Sequence, residues 1–325
     1  MRREGPWLLL VVACLAGLAL AARWLLDSLD DVGGALATMD PRLLGPILGL
    51  VVIDYTLRYL RWRYLFRLAA ARSLAPREEI ALYLAGNSLI LTPARAGELV
   101  RSLYASRLYD MRVSETAAVV LVERVVDTTA MLALVGVGAV LLGGVLALAI
   151  LAATFVAGVV LIRSALARSL LRRLFDRVVP RQGSLPAATP LLRIETLAVS
   201  FGLGFLAWSV ECVCFALVLV GLGFEPGVAT LAGACFVYPL ATLAGALSFL
   251  PGGLGVTEGG IAGLLTATLG ASAAAATAAA LLIRAAIIAP ALLSGLAPLV
   301  VLTKLAARTP ASPSRETLGE GRRAA

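Results

Sequence analysis

An all-α, polytopic membrane bundle of about eight membrane segments, with re-entrant or broken helices, is predicted from three features of this 325-residue sequence. First, 60% of its residues are hydrophobic and 15% charged, with mean hydropathy +0.93, whereas soluble domains carry about 45–50% and about 25%. Second, arginines gather in short segments between apolar runs, the pattern of cytoplasmic loops. Third, two apolar stretches are interrupted by proline and glycine, at Thr92-Pro93 and at Pro251-Gly252-Gly253.

Residues 7–26 follow Arg2 and Arg3 and are long enough to cross a bilayer. Ala19-Leu20-Ala21 imitates a signal-peptide cleavage site, but the membranous remainder favours a retained helix. The next loop, with Asp27, Asp30, Asp31 and Asp40, reads as exterior, and a second span over about 43–60 returns to arginine-rich sequence at 58–77. Residues 79–111 start apolar, break at Thr92-Pro93 and resume with Arg95, Glu98 and Arg101. Each half is shorter than the roughly 20 residues a span requires, and arginines flank both ends, so a re-entrant hairpin is expected.

Spans are expected at about 116–142, 145–162, 195–221 and 227–249, with an arginine-rich cytoplasmic loop at 163–193. A second break occupies about 250–258, followed by an Ala-rich stretch at 261–280 and a last helix at about 281–303. Residues 1–303 thus read as one membrane domain, and 304–325 as a disordered cytoplasmic tail. The N-terminus is expected in the cytoplasm, and the basic tail places the C-terminus there too. Equivalent hairpins at the two breaks would instead leave the tail outside.

The breaks resemble each other. Pro93 precedes Gly97-Glu98, and Pro251 precedes Gly255 and Glu258; intramembrane arginines follow 31 and 33 residues after each proline, at Arg124 and Arg284. Two structural halves are therefore expected, and paired interruptions of this kind point to a transporter's central site.

Charged side chains at mid-membrane cost roughly 2.5–3.5 kcal/mol each on insertion scales, so Glu123, Arg124 and Asp127 must face the bundle interior, a partner or water. Arg124 can pair with Glu98 or bind an anion; a structural salt bridge serves equally well. Thr92 as N-cap and Pro93 as first helical residue would aim free N–H groups and a positive dipole end into the membrane. Arg95 in that first turn offers a fork suited to phosphate, and Asn87 can satisfy exposed backbone. A kinked helix with its charges in cytoplasmic water is the plainer alternative. Gly252, Gly253 and Gly255 permit close backbone approach, Glu258 can pair with Arg284, and Glu211 is a buried carboxylate without an evident sequence partner. Tyr104, Tyr109 and Tyr238 read as interfacial or packing residues.

Several chemistries are disfavoured. There is no histidine, which removes imidazole bases and histidine-ligated metals. Cys14, Cys212, Cys214 and Cys235 all lie in apolar runs without zinc spacing. No ATP-binding motif is visible, and the formal charge of +8 is accounted for by the loop arginines, without nucleic acid. No cofactor, metal or catalytic residue is expected.

The run from Asn87 to Arg101, NSLILTPARAGELVR, resembles the first signature of the lysylphosphatidylglycerol synthase transmembrane-region family, also called the flippase-like domain family. Glu123-Arg124 with Asp127, Trp208 with Glu211, Pro251 to Glu258, and Arg284 with Pro290 carry the resemblance along nearly the whole chain. It implies a cell-membrane protein moving a phosphate-bearing lipid or lipid-linked glycan between leaflets, in a stand-alone form without the soluble aminoacyl-transferase domain. Anionic phospholipid or isoprenoid-phosphate-linked cargo is expected, with a glycosyltransferase or lipid-synthesis enzyme as partner. Secondary transport of a small soluble anion, or a scaffold role in a glycolipid pathway, stands as the alternative. A headgroup-modifying enzyme using Glu98 or Glu123 as base is the least favoured reading, for want of a nucleophile or metal cluster.

Overall fold

The computed structural model describes residues 39–70, 73–92, 96–144 and 190–308, with Gly33, Gly34 and Ala37. The expected first span at 7–26, the segment 145–189 and the tail beyond Arg308 lie outside the described residues. Eight α-helices and no strand are present among the described residues. They are α1 (Leu44–Ala69), α2 (Pro76–Asn87), α3 (Val100–Tyr109), α4 (Val113–Leu141), α5 (Ile194–Gly221), α6 (Val228–Leu247), α7 (Val256–Leu269) and α8 (Ala273–Arg308). Among the described residues, four stretches are long and apolar enough to cross a membrane: Pro41–Ala69, which includes α1, and α5, α6 and α8. The protein is a multi-pass, all-α membrane bundle.

Local chemistry sets the helix ends. Asp40 accepts from the Arg42 N–H at 2.9 Å ahead of a 3-10 turn, Pro41–Leu43, that leads into α1. Pro76 opens α2, and Glu78 accepts from the Ala75 N–H at 2.9 Å. Asp110 and Gly270 end α3 and α7 in the left-handed region, at φ 54° and 65°.

Helices α1 and α5 run antiparallel along their full length. At one end the Asp40 N–H donates to Gly221 O at 3.1 Å. At the other, Leu191, just before α5, is buried with Trp62 and Leu65 of α1. This second end also holds Arg63 and Arg67 around the fully buried Glu79, and is called the arginine-rich end below.

Two hairpins, α2 with α3 and α6 with α7, enter from opposite ends. Helix α2 leaves the arginine-rich end, and α3 returns to it, with Met111 in the same apolar cluster as Leu74 and Trp62. Helix α6 leaves the far end, and α7 returns there, with Leu269 against Gly233. The tips meet inside the bundle: a Cβ on Gly252 would lie 2.7 Å from Leu91 Cδ2. Helix α2 lies along α8 as α6 lies along α4, and α1 faces α5. In α1–α4 and again in α5–α8 a hairpin stands between two longer helices, the second set inverted in direction.

Two boundaries differ from the sequence reading. The last break falls at Gly270 rather than near 280, and α8 runs unbroken through Pro290, Pro298 and Lys304 to Arg308. At 36 residues it is about 54 Å long, well beyond a bilayer's hydrocarbon core. Its C-terminal part lies at the arginine-rich end, where Leu302 joins the Trp62 cluster and Tyr104 Oη bonds Thr303 Oγ1 at 2.6 Å. Two equivalent hairpins and an α8 that ends there are compatible, because the hairpins enter from opposite ends.

Candidate polar site at the meeting of the hairpins

Helix α1 places Asp54, Arg58 and Arg61 on one inward face at i, i+4 and i+7. Arg58 Nε donates to both Asp54 oxygens, at 2.8 and 3.0 Å, and Nη2 donates to Glu211 Oε1 at 2.5 Å. The other Glu211 oxygen accepts from Tyr238 Oη at 2.6 Å. The Arg58 guanidinium also lies 4.7 Å from the centre of the Trp208 ring. Arg61, 1% exposed, donates to Asp127 Oδ1 at 2.6 Å and lies 3.7 Å from Glu123.

Asp127 on α4 is the hub. It accepts from Trp208 Nε1 at 3.1 Å and lies 3.1 Å from Arg124 and 3.7 Å from Arg58. Arg124 Nη2 reaches Glu98 Oε2 at 3.2 Å, tying α4 to the first hairpin. Arg101 on α3 donates to Asn87 Oδ1, lies 3.6 Å from Glu123 and packs over Tyr83 at 4.7 Å. Gly86 makes room for it, since a Cβ there would lie 2.0 Å from Arg101 Nε. Four arginines and five carboxylates thus interlock among the described residues, and all of them but Asp127, which sits just behind the wall, line a small cavity of about 30 Å³. Burial of this many ions is tolerated because each is paired. Arg124 is the most accessible of the four, its side chain 32% exposed.

The second break carries a smaller counterpart. Glu258 accepts from the Gly255 N–H at 2.7 Å through Oε2 and from Arg284 Nε at 2.7 Å through Oε1. Arg284 Nη2 donates to Gly252 O at 2.6 Å, closing the loop. Gly252, Gly253 and Gly255 have φ of 59°, 67° and 82°, a region where a Cβ is strained. Glu258 precedes Arg284 by 26 residues, the separation of Glu98 from Arg124, so each hairpin's glutamate binds the arginine of the following long helix.

The sequence-derived candidates are therefore distributed as follows. Asn87, Glu98, Arg101, Glu123, Arg124, Asp127 and Glu211 converge on one cavity or its wall. Asn87 Oδ1 accepts from the Arg101 side chain. Thr92 Oγ1 donates to Leu89 O at 2.7 Å at the hairpin tip. Pro93 and Arg95, and with them the expected helix start, lie outside the described residues; Gly97 sits in a 3-10 turn, Ala96–Leu99, and the α-helix begins at Val100. Pro251, Gly252, Gly253, Gly255, Glu258 and Arg284 form the second break, its Gly252 against Leu91.

Arg58 and Arg61, expected in the arginine-rich cytoplasmic stretch, are instead inside the bundle, because α1 stays helical to Ala69 and α4 and α5 offer carboxylates to its inner face; Asp54, within the expected span, joins them. Their i, i+4, i+7 spacing next to an apolar run was the available signal. Tyr238, read as packing, binds Glu211. Among the described residues no trio of His, Cys, Asp or Glu is placed to hold a metal ion.

The sequence model of the family described as "Lysylphosphatidylglycerol synthase TM region" matches residues 6–295. No curated protein matches the chain.

Proposed function

Because the chain belongs to the lysylphosphatidylglycerol synthase transmembrane-region family, a membrane domain of lipid-related processes, we propose that it translocates a phosphate-bearing lipid or lipid-linked glycan between leaflets. The observation that carries this reading is the interlocked arginine–carboxylate cluster where two opposed hairpins meet inside the bundle. A polar headgroup crossing a bilayer needs such a water-excluding but charged route, since hydrocarbon offers it no partners.

The arginines already hold carboxylates, so an anionic headgroup binds by exchange. A phosphate oxygen replaces Glu98 or Asp127 on Arg124, the accessible member, and the released carboxylate turns to another arginine in the cluster. Arg124 already lies within 3.2 Å of two carboxylates, so a charge can pass between partners without being stranded. Glu258 and Arg284 hold the second break in shape, and translocation needs no covalent step.

The arginine-rich end is assigned to the cytoplasm by the positive-inside rule, in a cell membrane, with both termini on that side. A glycosyltransferase or lipid-synthesis enzyme is the expected supplier of cargo.

The test is reconstitution in vesicles containing a headgroup-labelled anionic phospholipid, with a membrane-impermeant quencher added outside. Wild type exposes the inner-leaflet label, and Arg124→Ala and Arg95→Ala do not, while both variants remain folded. Equal translocation by wild type and both variants would refute the site assignment. Uptake of a small anion such as phosphate without lipid movement would replace this function with solute transport.

A further inference from the structure

A second cavity, a groove of about 450 Å³, lies on the outer flank of the bundle between α1, α2 and α8. Leu48, Val52 and Tyr59 of α1, Ile80 and Leu84 of α2, and Pro290 of α8 form its walls. The lining is apolar, and its rim faces outward: Val52 is 65% exposed and Leu48 54%. The groove exists because of how the helices pair. Helix α1 packs chiefly on α5, and α2 chiefly on α8, which leaves a seam between the two pairs.

Tyr55 and Tyr83 line both this groove and the polar cavity, so the two spaces share a wall. The wall is thin. Tyr55 Oη donates to Ile287 O at 2.6 Å, bridging α1 to α8 across the seam. Pro290, three residues further along α8, has no N–H for the ladder and loosens the helix there. On the far side of Tyr55 stand Arg58 and Arg124.

We propose that this groove seats the hydrocarbon chain of a membrane lipid, and that Tyr55 is the door through which the anionic headgroup of that lipid enters the arginine cavity. The inference rests on the lipid-translocation reading and adds where the tail stays while the head moves. An apolar groove open to the bilayer costs a lipid tail nothing to enter, and a charged cavity one tyrosine deeper is where its headgroup finds partners. Juxtaposition of an apolar and a charged compartment suits an amphiphile; a free phosphate ion has no use for the groove.

The test uses the full chain in nanodiscs made with an anionic phospholipid that carries a photoactivatable diazirine midway along one acyl chain. Crosslinks are mapped by mass spectrometry, and translocation of the same lipid is measured in parallel. Expected crosslinks concentrate on Val52, Tyr59 and Ile80 and fall about tenfold in Val52→Trp, equivalent to about 1.4 kcal/mol of lost binding. Ile80→Trp, which fills the groove from α2, does the same should Val52→Trp misfold. Leu206→Trp, on the exposed face of α5, leaves them unchanged. Crosslinks spread evenly over the groove and the Leu206 face, or unaffected by either tryptophan in folded protein, overturn the proposal. Intact translocation with no groove crosslink refutes the tail seat alone; groove crosslinks that Val52→Trp abolishes, without translocation, refute the translocation reading and leave the lipid seat standing.

Discussion

Asp127→Ala probes the hub of the buried network. The wild-type carboxylate holds Arg61 at 2.6 Å, Arg124 at 3.1 Å and the Trp208 N–H at 3.1 Å, joining α1, α4 and α5. Removing it leaves Arg61 with Glu123, at 3.7 Å, as its carboxylate among the described residues, and strips the buried Trp208 N–H of that acceptor. Breaking a buried ion pair from one side costs about 3–5 kcal/mol, and an unsatisfied buried donor about 1–3 kcal/mol. Arg124 and Arg58 keep Glu98 and Glu211, so the two costs overlap and about 4 kcal/mol is expected in total, close to a thousandfold in the folding equilibrium. Asp127→Asn keeps an acceptor for Trp208 and Arg61 and should lose about half of that. The assay is equilibrium unfolding in mixed detergent micelles, followed by tryptophan fluorescence. An alanine variant within about 0.5 kcal/mol of wild type, the range of inconsequential surface changes, would refute the claim that these ions depend on Asp127.

Three further perturbations address the fold. Gly253→Ala forces a Cβ into φ 67° and to 2.9 Å from the Gly245 Cα, so about 2 kcal/mol of stability is lost, measured by the same unfolding titration. A Leu91→Cys, Gly252→Cys pair, in a background with serine at the native cysteines, should crosslink on mild oxidation and halt lipid translocation reversibly; failure to crosslink in folded protein would contradict the meeting of the hairpin tips. Single cysteines at Arg77 and Lys304 should react with an impermeant thiol reagent from one side of the membrane and a cysteine at Glu225 from the other, all three being exposed; labelling of Arg77 and Lys304 from opposite sides would overturn the path of α8.

Glu98 with Arg124 and Glu258 with Arg284 were legible as pairs because each joins a helix break to the next long helix, a short and repeated sequence separation. The expected spans at about 43–60, 116–142, 195–221 and 227–249 were legible because burial in lipid demands long apolar runs. The α1 charges were misplaced for the opposite reason. Arg58 and Glu211 lie 153 residues apart, and helical spacing shows that the α1 charges share a face without showing whether that face meets water or carboxylates. Tyr238 shows the same blindness, since its role is set by a carboxylate on α5.

Composition, hydropathy and the two proline–glycine breaks by themselves determined an all-α multi-pass membrane bundle with paired interruptions, because a bilayer permits few other solutions for such a chain. Tertiary structure alone decided that the hairpins enter from opposite ends, that Arg58 and Arg61 join the charged cluster, and that an apolar groove adjoins it. Helical periodicity states which face of a helix is polar; which neighbour meets that face, and what seam is left between neighbours, is settled only when the helices pack.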